Sequence, residues 1–338
     1  LTAAAETERE IRRYPFAQRV LQRTRRPRYN PDMDPARLLR DRGVHPPADL
    51  PPALLAEFAR VVSHLWIDGG VVPLDAFRLD PADEGLLFGR GAWESARTFG
   101  GKPWLWDLHL GRLTQTCDLL GFPVDPGRLP TAAQVAAFVR GLTAQDVLVR
   151  LNVTAGPPGR PGKVWLSAGP LPAVPAHLAL RSCPNPVGKG HAYLTLKTFQ
   201  YATRLRLHRQ AVEAGFDSAL VLDDHGHIQE AAHANVFVRL ADGWATPLAD
   251  GGFLPGTVRQ HVLRNAPLPV REAVLPFAAL GRATEVFVTN SNAGVVPVTR
   301  VDGFEFPVGR ETLLLRQSLV PSAAGVEWRF VNRQPARR

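Results

Sequence analysis

Apolar positions along this chain come in short runs broken by glycine or a polar pair. Trp66-Ile-Asp-Gly-Gly-Val-Val72 reads as a strand, a Gly-Gly turn and a second strand, a hairpin pattern. A second hairpin follows, with Ala92 to Phe99, the turn Gly100-Gly101, and Pro103 to Trp106. Asp107 is placed to cap a helix whose apolar positions Leu110, Leu113, Cys117 and Leu120 recur at helical spacing, with Gly121 as the stop. Thr131 to Leu142 predicts another helix, and Val147 to Thr154 and Val164 to Ala168 predict strands. This half is α+β.

The second half predicts strand Leu194 to Phe199, helix Arg204 to Ala214 stopped by Gly215, and strand Ser218 to Leu222. A turn at Asp224-His-Gly226 precedes strand Asn235 to Leu240, a helix start at Pro255/Gly256, and strand Glu285 to Thr289. Between the halves, Leu171 to Gly190 is punctuated by Pro and Gly and should hold the connection, placed at 183–192. That bounds a small α+β domain at 63–182 and a larger one at 193–330. Residues 1–62 read as a basic extension rich in Arg, Pro and Asp, with a short helical pattern over Ala53 to His64; no function is assigned to it.

Composition narrows the classes. The chain has 338 residues, 45% hydrophobic and 21% charged, which fits globular domains rather than disorder. No apolar run approaches the roughly 18 residues of a membrane helix. Leu1 to Arg13 lacks the apolar core of a secretory signal. Cys117 and Cys183 stand far apart without metal-ligand spacing, so neither a disulfide framework nor a metal site is expected, and a reducing cytoplasm suits them. The net charge of +9 comes from arginine, since only Lys102, Lys163, Lys189 and Lys197 are lysines. Arg19 to Arg28 reads as a solvated basic arm, and nucleic acid is not the expected partner. The lysine scarcity matters for chemistry: an amine nucleophile must be one of these four, because a guanidinium does not lose its proton.

Four segments carry candidate chemistry. Lys197, in Leu196-Lys-Thr-Phe-Gln-Tyr201, follows apolar neighbours, and burial would favour a neutral, nucleophilic amine. Glu230 ends a short strand after a tight turn, five residues before Asn235. Phe253-Leu-Pro-Gly-Thr-Val-Arg259 delivers backbone N–H groups at a helix start, a natural phosphate cup. Val286 to Gly294 runs a strand into a small polar turn that suits an anion. Each alone has a plain structural explanation: a snorkelling lysine, an edge carboxylate, an ordinary helix start, an ordinary loop. Together, a lysine, an acid, a phosphate cup and a second polar loop are what pyridoxal 5′-phosphate requires.

On these segments and two more, the chain resembles the class IV aminotransferases, the fold-type IV pyridoxal-phosphate enzymes, over roughly residues 65 to 305. Phe88-Gly-Arg-Gly-Ala-Trp-Glu94 with Arg97 resembles the family's glycine-rich strand start, and His109-Leu-Gly-Arg-Leu113 its His-x-x-Arg-Leu helix. The resemblance implies a two-domain α+β fold of the D-amino-acid aminotransferase type, with a smaller N-terminal domain and a larger barrel-like, cofactor-binding C-terminal one. It implies that Lys197 is the Schiff-base lysine, Tyr201 the partner of the pyridine hydroxyl, and Glu230 the acid at the pyridine nitrogen. Arg112, Thr257, Val258, Ser291 and Asn292 then bind the phosphate. Arg97 is a candidate for a substrate carboxylate, since an arginine fork suits that group; a surface or interface arginine is the alternative. A homodimer with sites near the subunit junction is implied as well.

The chain departs from the family at several points. It has Asp83-Glu-Gly85 for Asp-Arg-Gly, Gly89-Arg-Gly91 for Gly-Asp-Gly, Gln200 for asparagine and Val258 for threonine. Ala155 stands where D-amino-acid transaminases carry a carboxylate-binding arginine. Within the family, Leu196 to Arg259 looks most like the aminodeoxychorismate lyases, which release pyruvate and 4-aminobenzoate for folate synthesis. A branched-chain or D-amino-acid transaminase, acting on an amino acid and keto acid pair, is the alternative, and Glu94 suits it equally. An inactive scaffold serving as a binding protein is a third reading, opposed by the presence of Lys197 and Glu230.

Overall fold

The computed structural model describes residues 34–46, 50–188 and 190–321; the Arg19 to Arg28 arm, Lys189 and the chain beyond Pro321 lie outside the described residues. Two sheets organise the rest. The smaller has six strands: β1 (His64–Ile67), β2 (Gly70–Pro73), β3 (Gly91–Phe99), β4 (Lys102–Pro103), β5 (Val147–Thr154) and β6 (Val164–Pro170), in the order β2-β1-β6-β5-β3-β4 with antiparallel neighbours. The first predicted hairpin forms as expected; in the second the return strand is only Lys102–Pro103, because Trp106 already begins a helix. Alternation along β5 turns Val147, Val149, Leu151 and Val153 into a core that also takes Leu113, Cys117, Phe138 and Val139.

Helices α1 (Pro35–Asp41), α2 (Pro52–Val62) and α3 (Glu84–Leu87) precede β3, and α4 (Trp106–Leu119) and α5 (Ala132–Leu142) follow β4. Thr131 caps α5 through a capping box with Gln134. Helix α4 differs from the sequence expectation: its cap is Leu105, held left-handed at φ 54°, and Asp107 lies inside the first turn. Only Trp104 and Leu105 separate β4 from the helix, so the chain reverses sharply there, and Asp107 still favours the positive end of the helix dipole. Helix α2 packs on β6 and α5, Val61 joins the core of the small sheet, and Glu57 accepts from Thr143 Oγ1 at 2.6 Å and Ala144 N at 2.9 Å. This part of the 1–62 segment is therefore integral to the small unit, because its apolar face is needed to close that core.

The larger sheet holds β7 (Leu178–Pro184), β8 (Ser218–Leu222), β9 (Ile228–Ala231), β10 (Asn235–Leu240), β11 (Gly243–Pro247), β12 (Val270–Ala273), β13 (Glu285–Asn290), β14 (Gly294–Val301) and β15 (Phe304–Glu305). Their order is β12-β11-β10-β13-β14-β7-β8-β9, with β15 on β14, and the sheet curls into a half-barrel. Helices α6 (Ala202–Glu213), α7 (Thr257–Asn265) and α8 (Arg310–Leu319) pack on it. Its core includes Phe237 and Phe287, stacked at 4.6 Å.

Because β7 pairs with β8 and β14, the chain passes between sheets over residues 171–177, ahead of the expected 183–192. The expected strand Leu194 to Phe199 is also different. A 3-10 turn, Ala192–Thr195, leads into an extended stretch that makes a single bridge, Thr198 to Ala92. Lys197 O accepts from Trp93 N at 3.0 Å and Phe199 N donates to Gly91 O at 2.9 Å. The stretch is too short for a ladder before α6 begins, yet these bonds pin the lysine to the start of β3 in the other unit.

Candidate active site

A cleft of about 840 Å³ opens where the two sheets meet. Its lining unites Lys197, Tyr201, Glu230, Arg112, Thr257, Val258, Ser291 and Asn292, eight residues singled out in the sequence. Arg97 is placed elsewhere: it lines a neighbouring hollow with Phe99, Trp104 and His261, behind the polar loop. Its N–H donates to Ser291 O at 3.3 Å and its Nη1 to Asn292 O at 3.2 Å.

Lys197 opens on the cleft, and its Nζ lies 3.8 Å from the centre of the Trp93 ring. Burial, reinforced by Arg112, pushes its ammonium down to about 7, so a large share is a neutral amine near neutral pH. Trp93 is fixed in turn by its indole N–H, which donates to Thr198 O at 2.9 Å. Arg150 on β5 stacks on the same ring at 3.8 Å and donates to Asn152 Oδ1 at 2.9 Å.

Glu230 is the penultimate residue of β9, 5% exposed, with burial pushing its carboxyl up to about 7 against an ion pair with Arg204. Tyr201 OH is 3.0 Å from His233 Nδ1, and the two rings stack at 5.7 Å. His208 closes on the other ring at 4.7 Å; desolvation and the positive groups nearby push His233 down to about 4. Neutral His233, protonated on Nε2, accepts from the phenol; protonated on Nδ1, it donates to it.

Arg112 is held by Glu94, which is fully buried and accepts from Arg112 Nε and Nη2, each at 2.7 Å. Glu94 also accepts from His109 Nδ1 at 2.7 Å. Burial would raise its pKa, but Arg112 and His109 outweigh that and hold it at about 2. The ionised carboxylate makes His109 Nδ1 the donor, so His109 Nε2 accepts from Thr257 Oγ1 at 3.3 Å. One carboxylate thus orients an arginine and, through a histidine, the first residue of α7.

The start of α7 lines the cleft. Thr257, Val258 and Arg259 start α7, so their N–H groups lack acceptors within the helix. Asn235 pins the approach: its Oδ1 accepts from Gly256 N at 3.0 Å and its Nδ2 donates to Leu254 O at 2.9 Å. A Cβ on Gly256 would collide with that Oδ1. Val258 is buried against Phe237 and Phe287, which accounts for an apolar side chain there and leaves its N–H at the helix start. Three of the five N–H donors of Arg112 are engaged, on Glu94 and on Pro255 O at 3.0 Å, leaving two for an anion. Thr289 Oγ1 and Asn292 Oδ1 are buried in the cleft lining with no partner among the described residues. An amine, an acid and an anion cup in one cleft, with polar atoms still to be satisfied, fit pyridoxal phosphate.

Residues 91–301 match the amino-transferase class IV family, and the chain belongs to it. It is a pyridoxal-phosphate-dependent enzyme of that family's aminotransferase and lyase chemistry. It is 26% identical to the branched-chain-amino-acid aminotransferase of Salmonella typhimurium, over 73% of this chain and 87% of that one. Among solved structures it is similar to the 4-amino-4-deoxychorismate lyase of Pseudomonas aeruginosa, 28% identical with TM-score 0.67, covering 75% of this chain and 97% of that one. An aminotransferase from Brucella abortus bound to pyridoxal phosphate is 25% identical with TM-score 0.64, covering 75% and 96%.

Trp93, Arg150, His233 and Arg204 were not singled out for the site by sequence. Arg204 is visible only as the start of a helix, and Arg150 as one outward position in an alternating strand.

Proposed function

We propose that this protein is a 4-amino-4-deoxychorismate lyase, forming 4-aminobenzoate and pyruvate. The observation that carries the reading is the wall built on Trp93. The Lys197 amine and the Arg150 guanidinium both lie 3.8 Å from its ring centre, so they are no farther apart than twice that distance. Trp165 and Phe199 line the same cleft. A six-membered ring with a carboxylate at one end and an amine at the other, which becomes flat as it turns aromatic, suits a guanidinium, an aromatic wall and a reactive amine in that span. The 28% identity to the Pseudomonas lyase and the lyase-like run from Lys197 to Arg259 support it.

Pyridoxal phosphate, when bound, supplies an electron-withdrawing ring that stabilises charge on a substrate carbon as it loses its proton. The chain does the rest. Lys197, neutral in good part at working pH, is both the attachment point and the base of choice, being an amine that lines the cleft with the acid and the cup. Glu230 serves the pyridine nitrogen and Tyr201, backed by His233, the ring hydroxyl. Arg112 and the N–H groups of α7 hold the phosphate, with Ser291 and Asn292 on the other side. Arg150 takes the substrate carboxylate in place of Arg97, which the fold puts behind the loop.

The number of branched-chain aminotransferases among the relatives favours transamination as the second reading. The exposed run Leu86, Leu87 and Phe88, which abuts Gln200, suits burial against a second copy in a homodimer. Buried, free Cys117 and Cys183 suit a reducing cytoplasm. Two measurements test the reading together. Borohydride reduction of the holoenzyme and peptide mapping should place the pyridoxyl group on Lys197; label on Lys102, Lys163 or Lys189 would contradict it. Product analysis with aminodeoxychorismate, beside a panel of amino acid and keto acid pairs, should give 4-aminobenzoate.

A further inference from the structure

Burial drives the Glu230 carboxyl upward, and even with Arg204 beside it the net position is about 7, so about half is ionised at neutral pH. Arg204 is the group that most opposes the burial. It stands in the first turn of α6, and its Nη1 donates to Glu230 Oε1 in an ion pair whose side chains are 16% and 6% exposed. Its Nη2 donates to Leu194 O at 3.2 Å, in the turn that leads to Lys197. One planar fork therefore joins β9 to the lysine-bearing segment.

The other groups facing Glu230 are the Lys197 amine, the Tyr201 phenol and the Leu254 backbone N–H, which also favours the ionised form. Lys197 carries only part of its charge near neutrality, and burial raises the Tyr201 phenol so that it stays neutral. Of these groups only the guanidinium keeps a full charge at every working pH.

We propose that Arg204 is the positioning residue for Glu230: it counters the upward pull of burial, so that a share of the carboxylate stays ionised and is fixed through Oε1, and through Leu194 it ties that carboxylate to the segment carrying Lys197. This rests on the reading of Glu230 as the acid at the pyridine nitrogen. The ionised, oriented share accepts a cationic ring nitrogen without first losing a proton, and burial without Arg204 would leave less of it. A lysine at 204 would keep the charge but not the fork that reaches both acceptors.

The test uses the full chain. Carboxyl carbon-13 NMR of glutamate-labelled apo-protein reads the titration of Glu230, its signal assigned by loss in Glu230→Gln. In Arg204→Gln the midpoint should rise by about 1–3 pH units, the usual effect of removing a close opposite charge. Arg204→Lys should give a smaller rise of the same sign, and it serves if the glutamine variant does not fold. Pyridoxal phosphate binding, followed by tryptophan fluorescence, should weaken at least tenfold in Arg204→Gln, and the loss should vanish in a Glu230→Gln background. An unmoved Glu230 midpoint in the Arg204 variants overturns the proposal whatever the cofactor does. A loss of affinity that persists undiminished in the Glu230→Gln background overturns it too, since Arg204 would then act elsewhere. If Glu230→Gln alone binds cofactor with wild-type affinity and spectrum, the reading of Glu230 fails, while the NMR midpoint still decides the role of Arg204.

Discussion

Lys197 and Glu94 are buried ionisable groups with opposite consequences. The folded state pushes the lysine from 10.5 to about 7, so between those values the unfolded chain holds a proton that the native state does not. Stability therefore rises with pH across that window, and the cost of burying Lys197 is greatest at and below its lower end. Lys197→Met, close in volume, should abolish turnover yet melt higher than wild-type apo-protein at pH 7. The gap should close as pH approaches 10.5, a trend that thermal melts across pH will reveal; equal melting temperatures at pH 7 would mean the amine is not held neutral. Glu94 works the other way. Its carboxyl falls from 4.5 to about 2, so it contributes stability above the upper value and loses that contribution as pH drops through the lower. Glu94→Gln leaves Arg112 buried without its carboxylate and should cost about 3–5 kcal/mol at pH 7. In denaturant titrations the deficit should shrink below pH 4.5.

Among the elements, the start of α7 has little tolerance. Gly256→Ala drives a methyl into Asn235 Oδ1 and displaces the side chain that pins both Gly256 and Leu254. We expect roughly a tenfold or greater loss of affinity for pyridoxal phosphate, equivalent to about 1.4 kcal/mol, with a much smaller loss for phosphate-free pyridoxal. Equal losses for both would place the damage outside the cup. Strands Ser218 to Leu222 and Asn235 to Leu240 were legible in the sequence because alternation is bounded by turn residues on both sides. The stretch around Lys197 was not: Leu194 and Leu196 look like strand residues, but the apolar contacts are made from a 3-10 turn and one bridge. The site divides similarly. Lys197 and Glu230 show themselves in local motifs, whereas Arg204 meets Glu230 across 26 residues and Trp93 meets Thr198 across 105. Such pairings are set by how strands are stacked, and a linear pattern carries no trace of them.

For the whole molecule, the cleft exists because two sheets are joined through the Lys197 stretch and share its lining. The N-terminal helices help to hold the smaller sheet. A chain beginning at residue 63 removes Val61, buried at 0% exposure, and the Glu57 bonds to Thr143 and Ala144. It should melt several degrees lower, as expected when core side chains are lost; an unchanged melting temperature would make α2 a dispensable appendage. The central claim concerns the reaction itself, and a lyase needs one substrate where a transaminase needs two. The most direct measurement supplies holoenzyme with aminodeoxychorismate alone, without any oxo acid, and counts 4-aminobenzoate and pyruvate per active site. The lyase reading predicts equimolar products over many turnovers. An inert substrate, together with an amino acid donor consumed to one equivalent per site until an oxo acid is added, would contradict it.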